Sequence, residues 1–222
     1  MTLAILQPTL IPDLHDLAVI MQSDTMLCQD SEQWSRKGRT HRAVIRTPEG
    51  TDYISVPLLT SDKKKPICRV RIDHSTDWIP QILRALEFNY RNSVYYDFYE
   101  PEIRADIEQG FQFEFLLDFS LFLRRRLFQF LEISPHSEII FSSTMENYDQ
   151  NPDLTAKNLG ADRYFQEHDA RHYQRQGRNR SEIPFNHPVY RQHFPGFEPY
   201  CCLYDLLFQY GPESFKIIDE IG

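Results

Sequence analysis

The stretch from Leu3 to Asp30 constrains the fold more than any other. Leu3-Ala4-Ile5-Leu6 is a short apolar run, cut by Gln7-Pro8. A helical period opens at Pro12-Asp13, with Asp13 placed to cap it, and continues through Leu17, Ile20 and Met21. A second apolar run, Thr25 to Cys28, follows at once and ends at Asp30. Two buried strands joined through a helix pair in parallel, and a parallel sheet needs cover on both faces. The expectation is an α/β chain with a Rossmann-like, three-layer core and a mainly parallel sheet.

The polar segment Ser31 to His41 is too charged for core and too long for a tight turn, which marks it as a functional loop. Three strand-like runs come next, Arg42 to Arg46, Tyr53 to Leu58 and Cys68 to Ile72, with Pro48-Glu49-Gly50 as a turn between the first two. They read as an antiparallel β flap. The period then turns helical over an insertion of roughly residues 76–133. Trp78, Ile79, Ile82, Leu83, Leu86 and Tyr90 share one face; Phe111, Phe115, Phe119, Leu123, Leu127 and Leu131 form a stripe on another helix, with Arg124 and Arg125 expected outside. Tyr95, Tyr96 and Tyr99 could line a sugar or pack in the core. Ile139 to Phe141 and Arg163 to Phe165 read as strands, separated by a helix from Pro152 to Leu159 that Gly160 closes. Glu167 to Asn186 is polar and loop-like, and Leu203 to Tyr210 is a last helix, stopped by Gly211-Pro212. With no repeat and no linker, residues 1–222 read as a single domain.

A net charge of -8 opposes broad binding to nucleic acid or an anionic membrane. The runs Lys63-Lys64-Lys65 and Arg124-Arg125-Arg126 are too brief to reverse that. The four cysteines form no Cys-x-x-Cys pair and read as reduced thiols. No signal peptide is visible, and the most apolar stretch, Phe111 to Leu131, carries too many charges to span a bilayer, so a cytoplasmic location is expected. Only 8 glycines are present, with no Gly-x-Gly-x-x-Gly, Walker loop or Gly-x-Ser-x-Gly, which removes dinucleotide redox chemistry, P-loop hydrolysis and an α/β-hydrolase serine. No His-Glu-x-x-His occurs; His168 and His172 stand at helical spacing but in a segment with no other metal signature, and no metal site is assigned.

Several strings remain: Gln7-Pro8-Thr9, Asp30 with Gln33, His41-Arg42, Leu159-Gly160-Ala161-Asp162, Arg171 with Tyr173, His187-Pro188-Val189-Tyr190, and Asp205-Leu206-Leu207-Phe208 before Gly211-Pro212-Glu213. Each is weak alone, but their order and spacing along essentially the whole chain resemble the WbqC-like family. The resemblance implies a bacterial-type protein of cell-surface polysaccharide (O-antigen) biosynthesis, with glycyl, other aminoacyl or acyl transfer to a sugar as the suggested chemistry. The sequence departs from the family pattern at Leu10, Asp13 and Asp16, where aromatic residues are usual. It departs again at Gln29, in place of a carboxylate, at His41, in place of Asn, and at Gln166-Glu167-His168-Asp169, in place of a small Ser-Gly-rich loop.

Gln7 and Asp30 sit at predicted carboxyl ends of parallel strands, where open α/β sheets bind ligands. Gln7 could bind a ligand or cap backbone freed by Pro8; Asp30 could orient a base or form an Asx turn. Arg42 and Arg171 suit a carboxylate or phosphate, since a guanidinium donates in pairs; ordinary ion pairs are the alternative. His187 could be a general base or be held by backbone, and Asp205 could be catalytic or a helix cap. His41, Tyr173 and Tyr190 join the substrate-binding set through the family strings. In the transferase reading His187 is the base, oriented by Asp30 or Asp205, while Arg42 and Arg171 hold an activated aminoacyl or nucleotide-sugar donor. Gln7, Asp30, Arg42, Arg171 and His187 are then expected around one cleft. The departures motivate a second reading, a non-catalytic binding or assembly protein of the same pathway. A third is nucleotidyl transfer: the opening is also similar to that of pantothenate synthetase and related nucleotidylyltransferases, which grip phosphate with paired histidines where this chain has only His15 nearby. No cofactor is assigned.

Overall fold

The computed structural model describes residues 1–135, 137–167, 181 and 183–221. Four parallel strands form the central sheet in the order β5-β2-β1-β6: β1 (Thr2–Leu6), β2 (Thr25–Cys28), β5 (Glu138–Phe141) and β6 (Arg163–Gln166). Helix α1 (Leu14–Met21) joins β1 to β2 as the sequence requires, and Asp13 caps it. The Asp13 carboxylate accepts from the Asp16 amide at 2.9 Å, and the Asp16 carboxylate accepts from the Asp13 amide at 3.3 Å.

Strand alternation divides the core into two faces. Ala4, Leu6, Met26, Cys28 and Phe165 join the larger cluster with α1, α4 (Leu116–Phe130) and α6 (Leu203–Tyr210). Leu3, Ile5, Leu27 and Tyr164 point the other way, into a smaller cluster with Ala156 of α5 (Pro152–Asn158). The sheet is thus sandwiched between helices in a Rossmann-like α/β fold, as the buried apolar residues of β1 and β2 on both faces demand.

The flap is a two-stranded antiparallel hairpin, β3 (Arg42–Thr47) with β4 (Gly50–Ser55). The third run, Cys68 to Ile72, is not a strand. A 3-10 turn at Ile67–Arg69 bends the chain, so pairing shrinks to the single bridges Leu58 to Ile72 and Arg71 to Phe115. The helical insertion holds α2 (Trp78–Tyr90), α3 (Tyr96–Glu108) and α4. Tyr96 and Tyr99 are buried packing residues of α3, against Phe208 and Phe130. The long stripe begins later than its period implied: Phe111 lies before α4 and is 51% exposed, while Phe119, Leu123 and Leu127 are buried. Arg125 is exposed, but Arg124 is drawn inward. The last helix, α7 (Phe215–Ile218), follows Gly211. That glycine has φ +49, and an added Cβ would come within 2.5 Å of Tyr95 Cγ, so the stop signal is also a close contact.

Candidate functional site at the carboxyl edge of the sheet

Each parallel strand ends on a polar residue. Gln7 follows β1, Gln29 and Asp30 follow β2, Ser142 and Ser143 follow β5, and Glu167 follows β6. This is the edge where ligands bind in open α/β sheets.

Asp30 is consumed by the edge itself. One carboxylate oxygen accepts from Ser142 Oγ at 3.0 Å and from the Ser143 amide at 2.9 Å, and the other accepts from Ser143 Oγ. It staples the end of β2 to the end of β5. Beside it the Gln29 amide donates to the Tyr148 hydroxyl at 3.1 Å, which donates to Glu32 at 2.6 Å.

Over β1 the edge is ionic. Arg39, from the polar loop, makes a two-pronged pair with Asp16 at 2.7 and 2.8 Å and reaches Asp13 at 2.9 Å. Asp13 and Asp16 therefore have a charge partner and cap α1 as well. Glu167 is buried against this pair and meets the Gln7 amide. Burial is the main influence on its carboxyl and pushes it up to about 7; Asp16 adds repulsion, while the backbone donors and Arg39 pull the other way. Among the described residues, Gln7 Oε1, Gln166 Oε1 and Glu167 Oε2 are buried acceptors without a hydrogen-bond donor. Buried acceptors are normally satisfied, so these strand ends keep acceptor capacity that water or a ligand donor can meet.

His187 lies beyond α1. Phe185 packs edge-on against His15 at 5.0 Å, and His187 against Phe185 at 5.5 Å. Its Nε2 accepts from the Tyr200 amide at 3.1 Å, which leaves Nδ1 to donate to the Pro188 carbonyl at 2.9 Å. Phe197 and Tyr200 complete an aromatic cage. Asp205 stands inside the first turn of α6, where Cys202 occupies the cap position. It is fully buried and accepts from the Tyr190 hydroxyl and the Gln192 amide, both at 2.9 Å; burial raises its pKa. Arg42 donates to the carbonyls of Gly38 and Lys37, 3.1 and 2.7 Å, and stacks over Tyr53. His41 accepts from the Trp34 indole at 3.3 Å and is held neutral, its pKa lowered to about 4 by burial and then by Arg42 and Arg36. Both residues brace the polar loop. Arg171, Tyr173, His168 and His172 lie outside the described residues.

The structure thus joins Gln7, Glu167, Arg39, Asp13 and Asp16, and reaches His187 through His15 and Phe185. Arg39 and Glu167 were missed as site residues, although the strand-end argument used for Gln7 and Asp30 applies equally to Glu167. No cluster of three metal-ligating side chains occurs among the described residues. Among them no helix is long and apolar enough to cross a membrane.

The model of the WbqC-like protein family matches residues 7–217. The chain belongs to that family. Among curated proteins, this WbqC-like chain is similar to the uncharacterized protein Rv1507c of Mycobacterium tuberculosis, 29% identical over 93 residues. That match takes in 42% of the chain and only 40% of the relative's length. No solved structure matches it.

Proposed function

We propose that this WbqC-like protein transfers an acyl or aminoacyl group to an amine or hydroxyl of a sugar during cell-surface polysaccharide synthesis. The observation that carries the reading is the line of buried acceptors, Gln7 Oε1, Gln166 Oε1 and Glu167 Oε2, at the carboxyl edge of the sheet. Sugar hydroxyls and a sugar amine are donors of the kind such an edge would hold. We assign the base to Glu167 rather than His187, because both ring nitrogens of His187 already bond to backbone. A carboxyl that titrates near 7 can take the acceptor's proton as its nitrogen or oxygen attacks the donor carbonyl. The bond to the donor's leaving group then breaks, and the leaving group departs with the electron pair. Arg171 keeps the donor-holding role expected of its guanidinium, and Tyr173 stays in the substrate-binding set.

The test is to incubate the purified protein with a panel of acyl and aminoacyl donors and amino-sugar nucleotides, with mass spectrometry as readout. The expected product is a sugar heavier by one acyl group, formed by the natural chain and not by Glu167→Gln. Product formation at an unchanged rate by Glu167→Gln would overturn the assignment. The engagement of both Asp30 oxygens and both His187 ring nitrogens by internal hydrogen bonds favours a second reading, a binding or assembly protein of the same pathway. Binding of the amino-sugar nucleotides with no product from any donor would select it.

A further inference from the structure

A cavity lined by none of Gln7, Gln166 and Glu167 lies under α4. It measures about 670 Å³ and is walled by Met26, Leu121, Phe122, Phe128, Ile139 and Phe141, between α4, β2 and β5. Its volume falls within the usual range for small-molecule sites, and its walls are predominantly apolar, as such sites are. Ile139, on the edge strand, is 40% exposed along it.

The cavity's polar lining residues are Asp118, Arg124, Arg125, Gln129 and Ser137; Asp118, Arg125 and Gln129 are exposed, and Arg124 is the cation drawn inward. Its whole-residue exposure is intermediate, but its guanidinium sits deep enough for desolvation to be the main influence on it. The neighbouring arginine, Arg126, pairs with Asp106 and Glu102. Arg124 has no carboxylate within ion-pair distance among the described residues, and its hydrogen bond there goes to Met26 Sδ at 3.4 Å, a weak acceptor. The nearby Cys28 thiol is pushed up to about 12, chiefly by burial, so it stays neutral and brings no compensating charge. Asp16, the carboxylate that Arg124 feels, is already held in two prongs by Arg39. A desolvated cation without a partner is costly, and an apolar cavity beside it supplies room for an anion that brings its own tail.

We propose that this cavity binds an anionic amphiphile, its carboxylate or phosphate head paired with the Arg124 guanidinium and its apolar chain or ring laid along Phe122, Phe128 and Phe141. The planar fork matches either head, and the apolar walls would hold the tail by burial alone. The site is distinct from the carboxyl-edge acceptors and does not rest on the transferase reading.

Calorimetric titration of the full chain with decanoate, decyl phosphate and decanol, each kept below its micelle concentration, tests it. At least one of the two anions should bind the natural chain about tenfold or more tighter than decanol, the advantage expected of hydrogen bonds to a charged head. Arg124→Met should abolish that advantage while leaving decanol binding in place. Removing an unpaired buried cation should also leave the melting temperature of the ligand-free protein unchanged or raised. Leu121→Trp, which fills the cavity from its wall and keeps Arg124, should weaken all three ligands. The tighter of the two anions identifies the head group. Equal affinity for anion and alcohol in the natural chain, unchanged anion binding by Arg124→Met, or no binding by any of the three would overturn the proposal.

Discussion

Glu167 gives the fold a pH dependence that can be worked out in advance. Its carboxyl is held at about 7 against an ordinary 4.5, because burial disfavours the charge more than Arg39 and the backbone donors restore it. Between those two values the folded chain keeps a proton that the unfolded chain has released. Stability contributed by this proton is therefore complete below about pH 4.5 and lost as pH rises through about 7. At about 1.4 kcal/mol per unit, the loss comes to about 3 kcal/mol. Glu167→Gln keeps the shape and is neutral throughout, so subtracting its unfolding free energy from that of the natural chain isolates the effect. Urea denaturation of both proteins from pH 4 to 8 should give a difference that is flat at low pH. It should then fall by about 3 kcal/mol toward pH 8 in favour of the glutamine variant. A difference that stays constant within about 1 kcal/mol over that range would mean that the carboxyl is solvated or fully paired, and the base assignment would lose its physical support.

Three further substitutions probe the scaffold. Phe119→Ala empties a site that is 1% exposed and packed edge-on against Trp78 at 5.8 Å, and should cost about 3–5 kcal/mol by chemical denaturation. Gly211→Ala forces a side chain into a φ of +49 and onto Tyr95; about 1–3 kcal/mol from backbone strain alone is expected, and an unchanged melting temperature would contradict the contact. Asp30→Ala removes the acceptor for Ser142 and for the Ser143 amide and hydroxyl, and should cost about 2–4 kcal/mol; a loss below about 1 kcal/mol would show that the staple is dispensable.

The parts of the fold legible in the sequence were those with local causes. Periodicity placed the first strand–helix–strand unit, α2 and α6, and Asp13 marked the start of α1 by its capping chemistry. The run at Cys68 to Ile72 carried strand composition, but the Cys68 amide donates to the Asp30 carbonyl and the Ile72 amide to that of Glu114, partners no local pattern reveals. The site shows the same division. Strand-end logic located Gln7 and Asp30 without disclosing that Asp30 is bonded across 112 residues to Ser142. His187 offered a general base by residue type, yet the Tyr200 amide that occupies its Nε2 comes from a fold of the chain rather than from spacing. Arg124 looked like a member of a solvated run, and only packing against β2 turned it inward.

These displaced charges share one neighbour. Asp16 raises the proton affinity of Glu167 and favours the charged form of Arg124, while its own oxygens are gripped by Arg39. Beside it stand the carboxyls of Asp13 and Glu167 and the guanidinium of Arg39. Asp13 and Asp16 share Arg39 as their charge partner. Arg39 offsets one of the two aspartate charges, so ionising Glu167 adds a second uncompensated negative charge in a low-dielectric setting, where such an excess is expensive. Burial first, with the repulsion from Asp16 added, keeps this carboxyl protonated toward neutrality. With its carboxyl pushed up to about 7, Glu167 can gain or release a proton near neutrality.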